Sequence, residues 1–154
     1  MNVEVLEEML SEDYITVNAY NGTDAILQAD VYSPDLILLD IMMPDLNGYE
    51  VCKKIKDNEK TMHIPIVIVT ALSEREDRIK AIEAGADDFL SKPVDYYELS
   101  ARVRSLVRIK QYHDALMNEQ DKLLTFKSGL DSMEDCVIIT SVNGDIEYLS
   151  LIHI

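Results

Sequence analysis

Two short runs constrain the fold more than anything else in the chain: Leu36 to Leu39 leading into Asp40, and Ile64 to Val69 leading into Thr70. Both are almost continuously apolar, the second rich in β-branched residues, so neither leaves a face for water. Strands of that kind belong in a parallel sheet covered on both sides. Between them Tyr49 to Asn58 reads as a helix, with Val51, Cys52 and Ile55 on one side and Lys53, Lys54 and Lys56 largely outward. A second helix is expected from about Ser73 to Ala84, where Ser73 can cap, Glu74 and Glu76 suit the positive end of the dipole, and Gly85 ends it. A short strand over Asp88 to Ser91, then Lys92-Pro93, then a long helical pattern from about Asp95 complete the series. Upstream, Val3 to Leu10 reads as a helix, Tyr14 to Ala19 alternates as a strand, and Thr23 to Ala29 reads as a helix. The alternation predicts a doubly wound α/β domain whose site lies at the carboxyl ends of its strands, where Asp40, Thr70 and Lys92 all fall.

Composition narrows the function classes. With 47% apolar and 28% charged residues the chain can bury a core, and its formal charge of -15 makes it a poor ligand for nucleic acid or an anionic membrane. No apolar run reaches the ~18 residues of a membrane span and no secretory signal opens the chain, so the cytoplasm is the default expectation. Cys52 and Cys136 stand outside any Cys-x-x-Cys spacing and read as small buried hydrophobes. His63, His113 and His153 show no metal-ligand spacing.

The segment Leu36-Ile37-Leu38-Leu39-Asp40-Ile41-Met42-Met43-Pro44-Asp45-Leu46-Asn47-Gly48 is the most informative. With Val69-Thr70-Ala71, Gly85-Ala86-Asp87-Asp88-Phe89 and Ser91-Lys92-Pro93 in the same order, it resembles the response-regulator receiver family over roughly residues 2 to 110. The resemblance implies a flavodoxin-like sheet and a phosphoryl group taken onto Asp40 from a cognate histidine kinase or phosphotransfer protein. It also implies that Lys92 supplies fixed positive charge, Thr70 donates a hydroxyl hydrogen bond to the phosphoryl group, and Phe89 is the switch aromatic. The small Ala71 leaves access to the carboxylate. Magnesium is implied as cofactor, with Asp40 and the Met42 backbone carbonyl among its ligands, and Lys92-Pro93 is implied to be cis. Receiver self-phosphorylation is the only enzymatic step implied, and any output enzyme, a histidine kinase or a cyclic-dinucleotide enzyme, would lie beyond the fragment.

Each residue alone has a plainer reading. An Asp after an apolar strand is commonly a turn former or cap, a lone Thr or Lys is commonly surface, and an aromatic in a short strand is commonly core. Their joint order decides for function. A haloacid-dehalogenase-type phosphatase would need an acid two residues after the nucleophile, where this chain has Met42, and a flavin carrier would need a phosphate-cradling loop that is not present. The alternative that stays open is a pseudo-receiver acting as a phosphorylation-independent interaction module.

Past the receiver-like part, from Asp95 to about Leu130, there is no Pro and only one Gly. Ile109, Tyr112, Leu116, Leu123, Phe126 and Leu130 follow alternating steps of three and four, broken by Glu119. A seam of this kind predicts a parallel homodimer through the 95–130 helix. The expected division is a receiver at 1–110, a helical, coiled-coil linker at 111–133, and the start of a PAS-like domain at 134–148. In the last, Asn143-Gly144 joins two strands of a hairpin. Residues 149–154, Leu-Ser-Leu-Ile-His-Ile, match the translation of a common transposase sequencing adapter and are expected to be foreign to the gene.

At the other end, receivers open with an apolar strand that closes on an acidic, magnesium-holding pair, whereas Met1-Asn2-Val3-Glu4 already matches the first helix. The first strand and its acids are expected to be missing from this chain, and Glu4, Glu7 and Glu8 lie on a helix and do not replace them. Magnesium binding is then expected to be weak. Tyr14 to Ala19 is expected to pair directly with Asp35 to Asp40, to take a strand from another molecule, or to detach.

Overall fold

The computed structural model describes residues 3–71, 75–131, 138–140 and 146–149. The chain divides into two compact units, Met1–Gln111 and Tyr112–Ile154. In the first, β1 (Ile37–Asp40), β2 (Ile66–Thr70) and β3 (Asp88–Ser91) form a parallel sheet in the order β1-β2-β3. Five helices accompany them among the described residues: α1 (Val3–Leu10), α2 (Gly22–Tyr32), α3 (Gly48–Lys56), α4 (Arg75–Glu83) and α5 (Tyr96–Asp131).

The sheet's two faces explain why β2 tolerates no polar residue before Thr70. Val67 and Val69 point into a cluster with Leu10 of α1, Leu90 of β3 and Leu99 and Val103 of α5. Ile66 and Ile68 point the other way, Ile66 with Leu39, Val51, Cys52 and Ile55, and Ile68 with Ile41 and Ala81. Every residue of β2 is buried. Each such aliphatic side chain contributes about 1.5–3 kcal/mol on leaving water. The expected α/β architecture with a parallel sheet and a long C-terminal helix is therefore the observed one.

Local chemistry sets the helix ends. Asn47 and Glu50 form a reciprocal capping box at α3, with Glu50 N–H donating to Asn47 Oδ1 at 3.0 Å and Asn47 N–H to Glu50 Oε2 at 3.2 Å. Asp95 caps α5, accepting Glu98 N–H at 3.0 Å. Gly85, at φ 88, ends α4 in the left-handed region, and Ala86 N–H reaches back to the Ala81 carbonyl at 3.0 Å. The capping expected of Ser73 and Glu74 lies outside the described residues.

Two expectations are corrected. Tyr14 to Ala19 forms no strand, and β1 pairs only with β2 among the described residues. A strand exists by its ladder, and this segment has none. Side chains hold it instead: Thr16 and Asn18 donate to the Glu7 carboxylate at 3.3 and 2.9 Å, and Gln28 Nε2 donates to the Asn18 carbonyl at 3.1 Å. The period-two exposure persists, leaving Ile15 fully exposed. Lys56 is the other correction, because it turns inward where an outward lysine was expected. Its Nζ donates to the Met62 and Ile64 carbonyls at 3.2 and 2.9 Å and lies 2.8 Å from the Asp87 carboxylate. Asp87 also accepts Ile66 N–H at 2.8 Å, so this pair closes the amino end of β2.

Beyond its first turns α5 leaves apolar side chains uncovered, with Ile109, Tyr112, Leu116, Leu123 and Phe126 each 59–67% exposed. In the second unit β4 (Ile138–Thr140) and β5 (Ile146–Leu149) pair antiparallel, with a register irregularity between Ile139 and Thr140. The Asn143-Gly144 turn expected to join them lies outside the described residues. No helix among the described residues is long and apolar enough to cross a membrane.

Candidate functional site

Asp40 is the last residue of β1, and the chain must turn sharply there to start α3. Gly48 makes that turn possible. Its N–H donates to the Ile41 carbonyl at 2.9 Å, and a Cβ at this position would sit 2.3 Å from the Asp40 carbonyl oxygen and 2.7 Å from Ile41 Cα. Only a residue without a side chain fits so close to backbone. Met42 N–H donates to Asp40 Oδ1 at 3.1 Å and orients the carboxylate.

The loop between is fastened from its far side. Asp45, in the left-handed region at φ 70, accepts hydrogen bonds from Gly22 N–H at 2.9 Å, Thr23 Oγ1 at 2.7 Å and Thr23 N–H at 3.3 Å. Its carboxylate thus satisfies free donors at the start of α2. The Thr23 hydroxyl, followed by the Leu46 N–H, holds the Asp45 carboxyl down at about 2. Nothing in the linear pattern marks this bridge except Asn21-Gly22-Thr23 as a helix start; Asp45 otherwise reads as a turn residue.

Lys92 reaches Asp40 from β3. Its Nζ forms an ion pair with Asp40 Oδ2, half sheltered, with the lysine side chain 18% and the aspartate side chain 35% exposed. Lys92 N–H also donates to the Thr70 carbonyl at 2.7 Å, so the ends of β2 and β3 are tied at the point where the lysine departs. The Lys92-Pro93 bond is cis. Thr70 is buried at the end of β2, 5% exposed. The strand ends therefore bring together Asp40, Thr70 and Lys92. Phe89 stands apart from the carboxylate, packed against the Ile41, Ile68 and Ala81 cluster with the Arg78 guanidinium 4.5 Å over its ring.

A carboxylate with one oxygen held by an N–H and the other facing an ammonium is oriented and charge-compensated, which suits it to meet an anionic electrophile. A resident divalent ion is less well served. Among the described residues no group of three or more His, Cys, Asp or Glu is placed to hold a metal ion. Asp40 and the Met42 carbonyl give too few protein oxygens for a magnesium site on their own.

The geometry agrees with the company the chain keeps. The family model of the response regulator receiver domain matches residues 1–104. The response regulator PleD of Caulobacter vibrioides is 48% identical over 120 residues, which cover 77% of this chain and 26% of that protein. The signal receiver domain of a signal transduction histidine kinase from Syntrophus aciditrophicus superposes with a TM-score of 0.64 at 35% identity, covering 68% of this chain and 80% of that one. The receiver domain of the sensor histidine kinase PA1611 from Pseudomonas aeruginosa, described with a magnesium ion coordinated in its active site cleft, gives 0.63 at 30% identity, covering 68% and 86%. The chain spans less than half the length of the curated relatives it matches. On the family match and the shared fold, this chain belongs to the response regulator receiver family.

Proposed function

We propose that residues 1–110 form a phosphoryl-accepting module of a two-component phosphorelay, working in the cytoplasm with a histidine kinase or phosphotransfer protein. The observation that carries the reading is the ion pair of Lys92 with Asp40 at the carboxyl edge of the sheet, beside the end of β2. An Asp40 oxygen attacks the phosphorus of a phosphohistidine in line, an O–P bond forms, and the N–P bond breaks. The electron pair returns to the imidazole nitrogen, which is then protonated. Lys92 compensates charge on the transferring oxygens, and the Thr70 hydroxyl donates to one of them. Phe89 responds when Thr70 is so engaged. Magnesium supplies further charge compensation wherever a complete oxygen set holds it.

A second reading, a phosphorylation-independent interaction module, is favoured by the sparse metal donor set around Asp40. One experiment separates them. This chain, the same chain preceded by a strand ending in an acidic pair, and Asp40→Asn in both are incubated with acetyl phosphate and magnesium and weighed intact. The expected result is efficient phosphorylation of the extended chain, little of the 154-residue chain, and none of either variant. Comparable uptake by the short chain would show that the acidic pair is dispensable, and no uptake by any form would leave the interaction module.

The signal is proposed to leave through α5, as a parallel homodimer along Ile109, Tyr112, Leu116, Leu123 and Phe126, through a linker at 111–133 into a PAS-like domain beginning at 134–148. The uncovered 59–67% exposure of those five side chains supports it. Glu119 would face its own copy in such a seam and weaken it. Sedimentation of the full chain should show self-association that Glu119→Leu strengthens and Leu116→Lys abolishes. A monomer in every case would remove the dimer.

A further inference from the structure

We propose that Arg78 is a positioning residue: its guanidinium holds the Phe89 ring in its half-buried position and, through that ring, fastens α4 to the sheet. The consequence for signalling rests on the reading of Phe89 as a switch residue. The contact itself does not.

The inference begins with how little else holds α4. Of its described side chains only Ala81 is buried, at 3% exposure, while Ile79 and Ile82 are 45% and 68% exposed. Ala81 and the covered part of Ile79 offer little apolar area to oppose displacement of a nine-residue helix. Polar contacts of its described residues add to this. One is the Tyr49 hydroxyl, which donates to the Asp77 carbonyl at 3.3 Å. Another is Arg78, whose guanidinium lies 4.5 Å from the Phe89 ring centroid.

Phe89 is well placed to make this contact matter. It pairs with Ile68 in the sheet and stands three residues before Lys92 on the strand that delivers the ammonium to Asp40. Ile41, Ile68 and Ala81 support one side of the ring, and Arg78 covers another. The ring's negative face attracts the cation, so the observed ring position is favoured over any that turns the ring from Arg78. For an exposed cation–π pair the preference is about two- to five-fold in population. Rotation of the ring must break the Arg78 contact, and movement of α4 must do the same. Each therefore loosens the other.

The chain contains only two phenylalanines, Phe89 and Phe126, which makes a direct test practical. The 154-residue chain carrying Phe126→Leu is labelled with 4-fluorophenylalanine, leaving one fluorine resonance, that of Phe89. Arg78→Met keeps the length and removes the charge; Arg78→Lys keeps a cation. The expected result is a shifted or broadened resonance in Arg78→Met, with Arg78→Lys closer to the parent. Amide exchange over residues 76–83 should be about two- to five-fold faster in Arg78→Met, with residues 48–56 unchanged. A resonance and an exchange rate in Arg78→Met equal to the parent's would overturn the proposal. So would an equal effect of Met and Lys, since that makes packing rather than charge responsible. Phosphoryl uptake at Asp40, followed by intact mass on the chain extended by a strand ending in an acidic pair, reports separately on the receiver reading: its failure there counts against that reading and not against the Arg78 contact.

Discussion

Helices α3 and α4 are each nine residues long and both flank the same sheet, yet they are attached in different ways. α3 buries Val51, Cys52 and Ile55 at 0–1% exposure, is capped at both ends, and has its leading loop pinned to α2 by Asp45. α4 buries Ala81 alone among its described side chains and adds the Tyr49 hydrogen bond and the Arg78 contact. The difference teaches where rigidity is placed. α3 carries the turn that aims Asp40, so errors there displace the reacting oxygen. α4 lies over Phe89, where adjustable contacts allow a response.

The contrast can be broken most severely from the α3 side. Ile55→Ala should cost about 3 kcal/mol by removing a fully buried side chain and leaving a cavity, read as a lower denaturant midpoint with an unchanged slope. Gly48→Ala should cost about 1–3 kcal/mol, because the new Cβ must push the Asp40 carbonyl aside. It should also reduce phosphorylation of the extended chain more than its stability loss explains. A Gly48→Ala protein with normal midpoint and normal phosphorylation would show that the turn has slack.

Acid should weaken the same side selectively. Asp45 has its carboxyl lowered from 3.8 to about 2 in the folded chain, so its contribution is present above pH ~4 and lost as pH falls through about 2. Thermal melts of the parent and Asp45→Asn should therefore differ at pH 6 and converge as pH falls from about 4 to 2. A constant difference over that range would remove the carboxylate's role. The smallest effect belongs to α4: Ile82→Gln, at an exposed position, should move stability by no more than about 0.5 kcal/mol in either direction. A loss like that of Ile55→Ala would mean that α4 is anchored through the face that carries Ile82.

Much of this was legible in the residues themselves. Continuous apolar runs located β1 and β2, because only a doubly covered strand is apolar on both faces, and Asp88 to Ser91 has the bounds expected of it. Val51 and Cys52 lie one helical turn before Ile55 and all three are buried together, as the spacing requires. Asp40, Thr70 and Lys92 each end or follow a strand, and parallel strands align their carboxyl ends at one edge. Their meeting is thus a consequence of topology that the order of elements already contained.

What only the tertiary structure decided depends on partners distant in sequence. Tyr14 to Ala19 has the alternation of a strand, but a strand requires a neighbouring ladder, and its polar groups turn instead to Glu7 and Gln28. Lys56 looked like its solvated neighbours until folding brought the Met62 and Ile64 carbonyls and the Asp87 carboxylate within reach. Asp45 finds donors more than twenty residues away at the start of α2, and Arg78 finds a ring on β3. Periodicity determines which face of an element is apolar because that property is local and repeats with the backbone. A single charged side chain chooses its partner once, across the fold, and no local repeat records the choice.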